Sequence, residues 1–247
     1  MTELILSDIT RMKSGYCVIG LQAAGSGFRS VRPMPPRGHA WPAHWRHTRG
    51  ERLRFRLQTV PQMMPHVEDQ LSAGEPECPG RISEQELVRC LRGAETAGSR
   101  DELFGCMLQR SAMGGSAAWV KPEEAKRSIC GCEIRSVRFR WKIDRWRAEV
   151  RMAAGEILES LPIVDHDWNN FLEAAAARAG GPNAVERVQS FLNGFVARTI
   201  WNDEQPFARI GLARPNPQGG CWLMLDSLFP LPKGEWLEEF AGRPEVK

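Results

Sequence analysis

Residues 132–152 read CEIRSVRFRWKIDRWRAEVRM, and this stretch decides the fold class. Val137, Phe139, Trp141 and Ile143 alternate with Arg138, Arg140 and Lys142. Beyond Asp144, Trp146, Ala148, Val150 and Met152 alternate with Arg145, Arg147, Glu149 and Arg151. Successive side chains of a strand point to opposite faces, so this period of two predicts a hairpin with one core face and one basic ladder.

Working outward, ERLRFRLQTV (51–60) repeats the pattern, with Leu53, Phe55 and Leu57 against Arg52, Arg54 and Arg56. Residues 3–33 read as a three-strand meander, ELILSDI, GYCVIGLQ and FRSVRP, with AAGSG supplying a hairpin turn. PMPPRGHAWP (33–42) holds too many prolines for a helix or a central strand and predicts an irregular loop. Residues 70–82, with two prolines and two glycines, also read as loop. Ser83 and Glu86 have capping-box spacing at the head of a helix that Gly93 can end. A short helical piece near DELFGCML and the small-residue SAMGGSAA make 94–127 the expected connector.

After a further strand, EILESLPI, two helices are expected, WNNFLEAAAARAGG and NAVERVQSFLNGFVART. The second has Asn183 and Glu186 at capping-box spacing, and an aspartate before Trp168 caps the first. Strands FARIGLARP and GGCWLMLDSLF close the chain around the turn NPQGG. This order predicts an α+β protein with two β modules, at 1–93 and 128–247, rather than an alternating βαβ sheet. FRSVRPMP and GLARPNP each end in Arg-Pro-x-Pro, which predicts that Arg32 and Arg214 hold comparable places in the two halves.

The 247 residues suffice for a core without disulfide or metal staples. Seven cysteines in no framework spacing, and no apolar run of membrane-spanning length, predict a cytoplasmic chain with mostly buried thiols and no membrane contact. Charge is segregated. Ten basic against three acidic residues fall in 1–58 and seven against three in 128–154, whereas acidic residues outnumber basic ones in 59–127 and 155–247. Only six of the 33 basic residues are lysine, and arginine suits forked contacts with phosphate and stacking on planar rings; an arginine-rich codon bias gives the same composition.

At ILSDITRMKSGYCVIGL…SVRPMPP, at the hairpin leading into LPIVDHDW and at FARIGLARP…CWLMLDSLFPLP, the sequence resembles a bacterial family of dual OB-fold proteins found around mobile-element and anti-phage conflict loci. The best-matched elements are Asp8 to Met12, Val31 to Pro33 and Arg209 to Pro215. The resemblance implies two small OB-like β-barrels with inserted and flanking helices and a nucleic-acid or nucleotide-binding role. It carries over no catalytic residues.

The basic ladders suit a phosphate backbone, with tryptophans available for base stacking. The expected nucleic-acid-binding set is Arg11, Arg32, Arg52, Arg54, Arg56, Arg138, Arg140, Lys142, Arg145, Arg147 and Arg214. A solvated outer sheet face is the plainer reading of the same pattern. His39, His44 and His47 share a loop with Trp41 and Trp45, but no metal-ligand spacing accompanies them, and neither metal nor cofactor is expected. No phosphate-binding loop, dinucleotide fingerprint or nucleophile elbow is present. The chain therefore reads as a non-catalytic accessory component of a defence or mobile-element system, binding DNA or RNA, within a ribonucleoprotein or a larger protein complex. Two alternatives stay open: a structural subunit meeting an acidic protein, and a hydrolase using Asp165, His166 and Asp167 or His66, Glu68 and Asp69.

Overall fold

The hairpin at 132–152 is present as two antiparallel strands in a computed structural model that describes residues 1–37, 39–110, 118–142, 144–203 and 206–242. Ile143 and residues 111–117 of SAMGGSAA lie outside the described residues. In chain order the strands of the first half are β1 (Thr2–Met12), β2 (Gly15–Ala24), β3 (Gly27–Met34), β4 (Glu51–Phe55), β5 (Leu57–Thr59), β6 (Asp69–Ser72) and β7 (Glu77–Arg81), followed by helix α1 (Glu84–Arg92). The second half holds β8 (Gln109–Arg110), β9 (Ala118–Val120), β10 (Ile129–Trp141), β11 (Trp146–Met152) and β12 (Ile157–Pro162). Helix α2 (His166–Ala179), helix α3 (Ala184–Phe191), a π-helical turn (Leu192–Val196) and helix α4 (Ala197–Asn202) follow, then β13 (Phe207–Leu212), β14 (Cys221–Phe229) and α5 (Gly234–Ala241). Among the described residues no helix is long and apolar enough to cross a membrane.

These strands form two curled seven-stranded sheets, ordered β5-β6-β3-β2-β1-β4-β7 and β12-β11-β10-β13-β14-β9-β8. In the first, β4 pairs with β1 and runs, after Arg56 alone, into β5 at the other side of the sheet. One bent segment thus ties both sides of the sheet together. β3 and β6 are parallel and β5 and β6 antiparallel. In the second, β13 is antiparallel to β10 and β14 to β13, while Ile163, just past β12, bridges Leu225 in parallel.

The strand alternation holds along β4, β11 and β10 as far as Phe139; Trp141, expected on the core face, is instead exposed at the last position of β10, where the strand ends. Leu53 and Phe55 are buried between exposed Arg52, Arg54 and Arg56, and Val137, Phe139, Ala148, Val150 and Met152 are buried between outward basic residues. Each sheet has its own core. Leu4, Leu6, Ile9, Val18, Val31, Leu53 and Phe55 fill the first together with Trp41, whose indole donates to the Pro33 carbonyl at 2.7 Å and so pins the proline-rich loop. In the second, Phe139 stacks on Trp168 of α2 at 5.2 Å, and Trp168 Nε1 donates to the Leu228 carbonyl at 2.9 Å. A third cluster joins the halves: Leu87, Val88 and Leu91 of α1 pack with Leu21 of β2 and with Phe207 and Phe229 of the second sheet.

Several expectations need correction. Residues 70–82 are not all loop, because β6 and β7 lie there. β7 is an edge strand with every residue exposed, where Pro79 needs no ladder partner. DELFGCML forms turns rather than a helix, since Leu103 and Phe104 are both buried and anchor it to the second core. The stretch 94–127 contributes β8 and β9 to the second sheet. Ser83 and Glu86 make the predicted capping box, but Asn183 makes no side-chain cap, and the cap of α2 is Asp165. The thiols are all free: Cys130, Cys132 and Cys221 are buried, Cys17, Cys90 and Cys106 half-buried, and Cys78 exposed.

Candidate nucleic-acid interface

On the outer face of the second sheet, register sets Arg138 opposite Glu149 and Arg140 directly opposite Arg147. Like charges facing each other across a strand pair destabilise a sheet unless something else compensates them. Glu149 compensates in part, with an oxygen 3.4 Å from Arg140 Nη2. Among the described residues, no carboxylate ion-pairs with Arg138, Lys142, Arg145 or Arg147.

Arg140, Lys142 and Arg147 line one cavity of about 230 Å³ with Glu149, Glu159 and Ser160. Residues of β10, β11, β12 and the turn after Trp141 all contribute to its lining. Ser160 takes a left-handed φ of 55°, unusual for a residue with a side chain, and its carbonyl accepts from Arg147 Nη1 at 2.8 Å. Arg147 is thereby held across the cavity. Burial, and then the neighbouring Arg145, depress its pKa, so this guanidinium is short of compensating negative charge. At the end of the hairpin Trp141 is 40% exposed, edge-on to Trp146 at 5.4 Å, with its backbone N–H donating to Gln189 of α3 at 2.9 Å. An indole so placed presents a surface for stacking beside the cations.

The remaining expected residues lie elsewhere. Arg52 and Arg54 share Glu3 of β1, at 4.0 and 3.2 Å, and Arg56 is exposed on the same sheet. Arg11 reaches α2, pairing with Glu173 and donating to Asn170 at 2.7 Å. Arg32 is only 7% exposed, and its fork is occupied inside the protein by Asp69 at 2.7 Å and Ser128 at 2.8 Å, so it offers nothing to an external ligand. Arg214, 39% exposed, holds the other Asp69 oxygen at 2.7 Å. The two arginines do not occupy comparable places: Arg32 is on β3, whereas Arg214 follows β13, the partner of the long strand β10. The shared Arg-Pro-x-Pro is local strand-end chemistry.

Sequence reading missed the buried seam between the halves. Asp8 accepts from Ser227 at 2.6 Å and lies 3.4 Å from Arg209, which also donates to Ser30 at 2.9 Å. Arg49 pairs with Asp165 at 2.8 Å. Glu68 accepts from the backbone and hydroxyl of Ser128 at 2.8 and 2.7 Å. Every one of these contacts joins the first half to the second. His66 accepts from Arg32 at Nδ1, 3.0 Å away, and burial followed by the charges of Arg32 and Arg214 hold it neutral, with a pKa of about 3. Asp226 is pushed up to about 8 by burial, then by Asp8. The signal was present in the strands: Asp8 in LILSDIT, Arg209 in FARIGL and Asp226 in LMLDSLF are charges inside otherwise apolar runs, which need internal partners.

The acid/base clusters considered from sequence are structural in their contacts. Asp165 caps α2 through the N–H groups of Asp167 and Trp168 while bound to Arg49, and Glu68 and Asp69 are engaged in the seam. No family model, curated protein or solved structure matches the chain.

Proposed function

We propose that the chain is a non-catalytic nucleic-acid-binding protein of two OB-like barrels, with the ligand lying along the β11–β12 face and the β10–β11 turn. The observation that carries this reading is Arg140 facing Arg147 around a cavity that Lys142 also lines. Strand connectivity supports the barrel type. In each half a three-strand meander is followed by a long excursion and a fourth strand antiparallel to the first. A fifth strand then returns antiparallel to the fourth and parallel to the third. OB-folds bind oligonucleotides on the face of strands two and three and at the loop between strands one and two, which correspond here to β11, β12 and the turn after Trp141. A role as an accessory component of a bacterial defence or mobile-element assembly rests on the family resemblance.

The test is fluorescence anisotropy with single-stranded DNA and RNA oligonucleotides across a salt series. Arg147 is left intact because it ties β11 to Ser160. A variant with Arg138→Gln, Arg140→Gln and Lys142→Gln is expected to bind at least about tenfold more weakly with a shallower salt slope, since each lost phosphate contact lowers it. Unchanged affinity in the folded variant overturns the reading. Failure of bare oligonucleotide to bind the wild-type chain favours an acidic protein as the partner of this face.

A further inference from the structure

We propose that His47, Glu51 and Cys78 form a binding site for one divalent transition-metal ion of the zinc class, with an open fourth position. His47 and Glu51 stand four residues apart in one segment, and Cys78 comes from a strand further along the chain. His47 ends the proline-rich loop, Glu51 opens β4, and Cys78 lies on the edge strand β7. Pairing between β4 and β7 shifts register between Arg52 and Arg54, and Cys78 falls within that irregularity. Such irregularities re-aim a side chain. One ligand atom from each of the three residues lies within 4.8 Å of the others.

The donor set is specific in kind. An imidazole nitrogen, a carboxylate oxygen and a thiolate sulfur are the ligand types that tetrahedral zinc takes, and hard cations such as magnesium or calcium do not take sulfur. A thiolate and a carboxylate together neutralise a divalent ion. Metal–ligand bonds of about 2.0–2.3 Å require ligand atoms roughly 3.2–3.8 Å apart. The sulfur of Cys78 is 3.6 Å from Glu51 Oε2 and already meets that requirement. His47 Nδ1 is 2.8 Å from the same oxygen, so an ion between them widens that pair by about 0.5 Å, while the imidazole and the sulfur, within 4.8 Å of each other, close by up to about 1 Å.

Surrounding contacts hold the ligands in place, as the outer partners of metal ligands do. Thr48 Oγ1 donates to the second Glu51 oxygen at 3.0 Å and is itself held by Arg81 at 3.1 Å. Trp45 packs edge-on to the His47 ring at 4.8 Å. A cavity of about 400 Å³, lined by Trp41, His44, Trp45, His47 and Glu75, adjoins the His47 side of the site. Of the histidines that share the loop in sequence, His47 alone belongs to the ligand set, and His39 and His44 do not. A distant strand supplies the sulfur.

The experiment is titration of the full chain with Co²⁺, followed by competition with Zn²⁺. Expected are a thiolate-to-cobalt charge-transfer band, the intense visible absorption of tetrahedral cobalt, saturation near one ion per chain, and loss of both signals on adding zinc. Cys78→Ser should abolish the charge-transfer band while the other six cysteines remain. His47→Ala should weaken zinc binding by more than about 100-fold, beyond the loss typical of an outer partner. A charge-transfer band that survives Cys78→Ser overturns the assignment, as does a wild-type chain that leaves cobalt in its six-coordinate aqueous form. Circular dichroism of both variants checks that they fold, and His47→Ala tests the site independently of the thiol.

Discussion

Arg32 and Arg214, from opposite halves of the chain, grip the two oxygens of a single carboxylate, Asp69, each at 2.7 Å. Coulombic attraction and hydrogen bonds from the two guanidinium groups outweigh burial and keep Asp69 below the usual carboxylate range. The two grips differ in worth because Arg32 is buried and Arg214 is not. Arg32→Lys keeps the charge but loses the fork that also holds Ser128, and is expected to cost about 2–4 kcal/mol. Arg214→Lys should cost about 1 kcal/mol or less. Urea unfolding of both variants checks the order, and equal losses would show that burial does not set the value of these pairs.

Asp226 predicts a fall in stability toward alkaline pH. Its folded pKa of about 8 lies above its ordinary 3.8, so the folded chain holds a proton that the unfolded chain has released. Stability contributed below the lower value is therefore lost as pH rises toward 8, with a slope of up to about 1.4 kcal/mol per pH unit. His66 acts in the opposite sense: depressed from 6.5 to about 3, it contributes stability above 6.5 that is lost as pH falls. Above pH 6.5 the His66 slope fades, and from about pH 7.5 to 8 the slope that remains of these two is that of Asp226. Asp226→Asn should flatten the melting-temperature profile there, and parallel profiles would show that this carboxyl does not titrate in the window.

Gly211→Ala should destabilise the second sheet. A Cβ at that position would sit 2.1 Å from Asp226 Oδ2 and 2.4 Å from its Cγ, with Asp226 itself buried. Relief requires moving a side chain in the seam, and overpacking of that kind costs about 1–3 kcal/mol. A variant with wild-type stability in urea would show that Asp226 has somewhere else to go.

Phe139→Ala should cost about 3–5 kcal/mol, because Phe139 is fully buried and stacks on Trp168. Phe139→Asp should unfold at least the second sheet, since it buries a carboxylate with no partner. Near-ultraviolet circular dichroism reports both through the tryptophans.

Arg52→Ala combined with Arg54→Ala should change oligonucleotide affinity little, within about 0.5 kcal/mol, because Glu3 already compensates both side chains. Anisotropy titration at low salt tests this. A loss matching that of the Arg138, Arg140 and Lys142 variant would place the ligand on the first sheet instead.

Local pattern carried the elements that it could carry. Period two located β4, β10 and β11 with the correct faces except at Trp141, and Ser83 with Glu86 located α1, because those signals lie within a few residues of one another. β6 and β7 were illegible because their register comes from distant partners, β3 and β4, and their residues resemble a loop. The candidate interface was legible as a ladder. That Arg140 opposes Arg147, and that Glu3 compensates the first ladder, depends on pairing register and on a strand far away in sequence. Likewise His47 suggested its neighbours His39 and His44, whereas folding supplies Cys78 across a strand pair.

The buried seam bears on how the chain can be divided. A cut near residue 93 leaves Asp8, Arg32, Arg49, Glu68 and Asp69 in one fragment and Ser227, Ser128, Asp165, Arg209 and Arg214 in the other. Each piece would carry uncompensated ions on a face meant to be dry, next to the apolar residues that α1 shares with Phe207 and Phe229. Neither fragment is suited to separate expression. Fragment complementation, with both pieces produced in the same cell, is the route by which a severed chain would recover its shape.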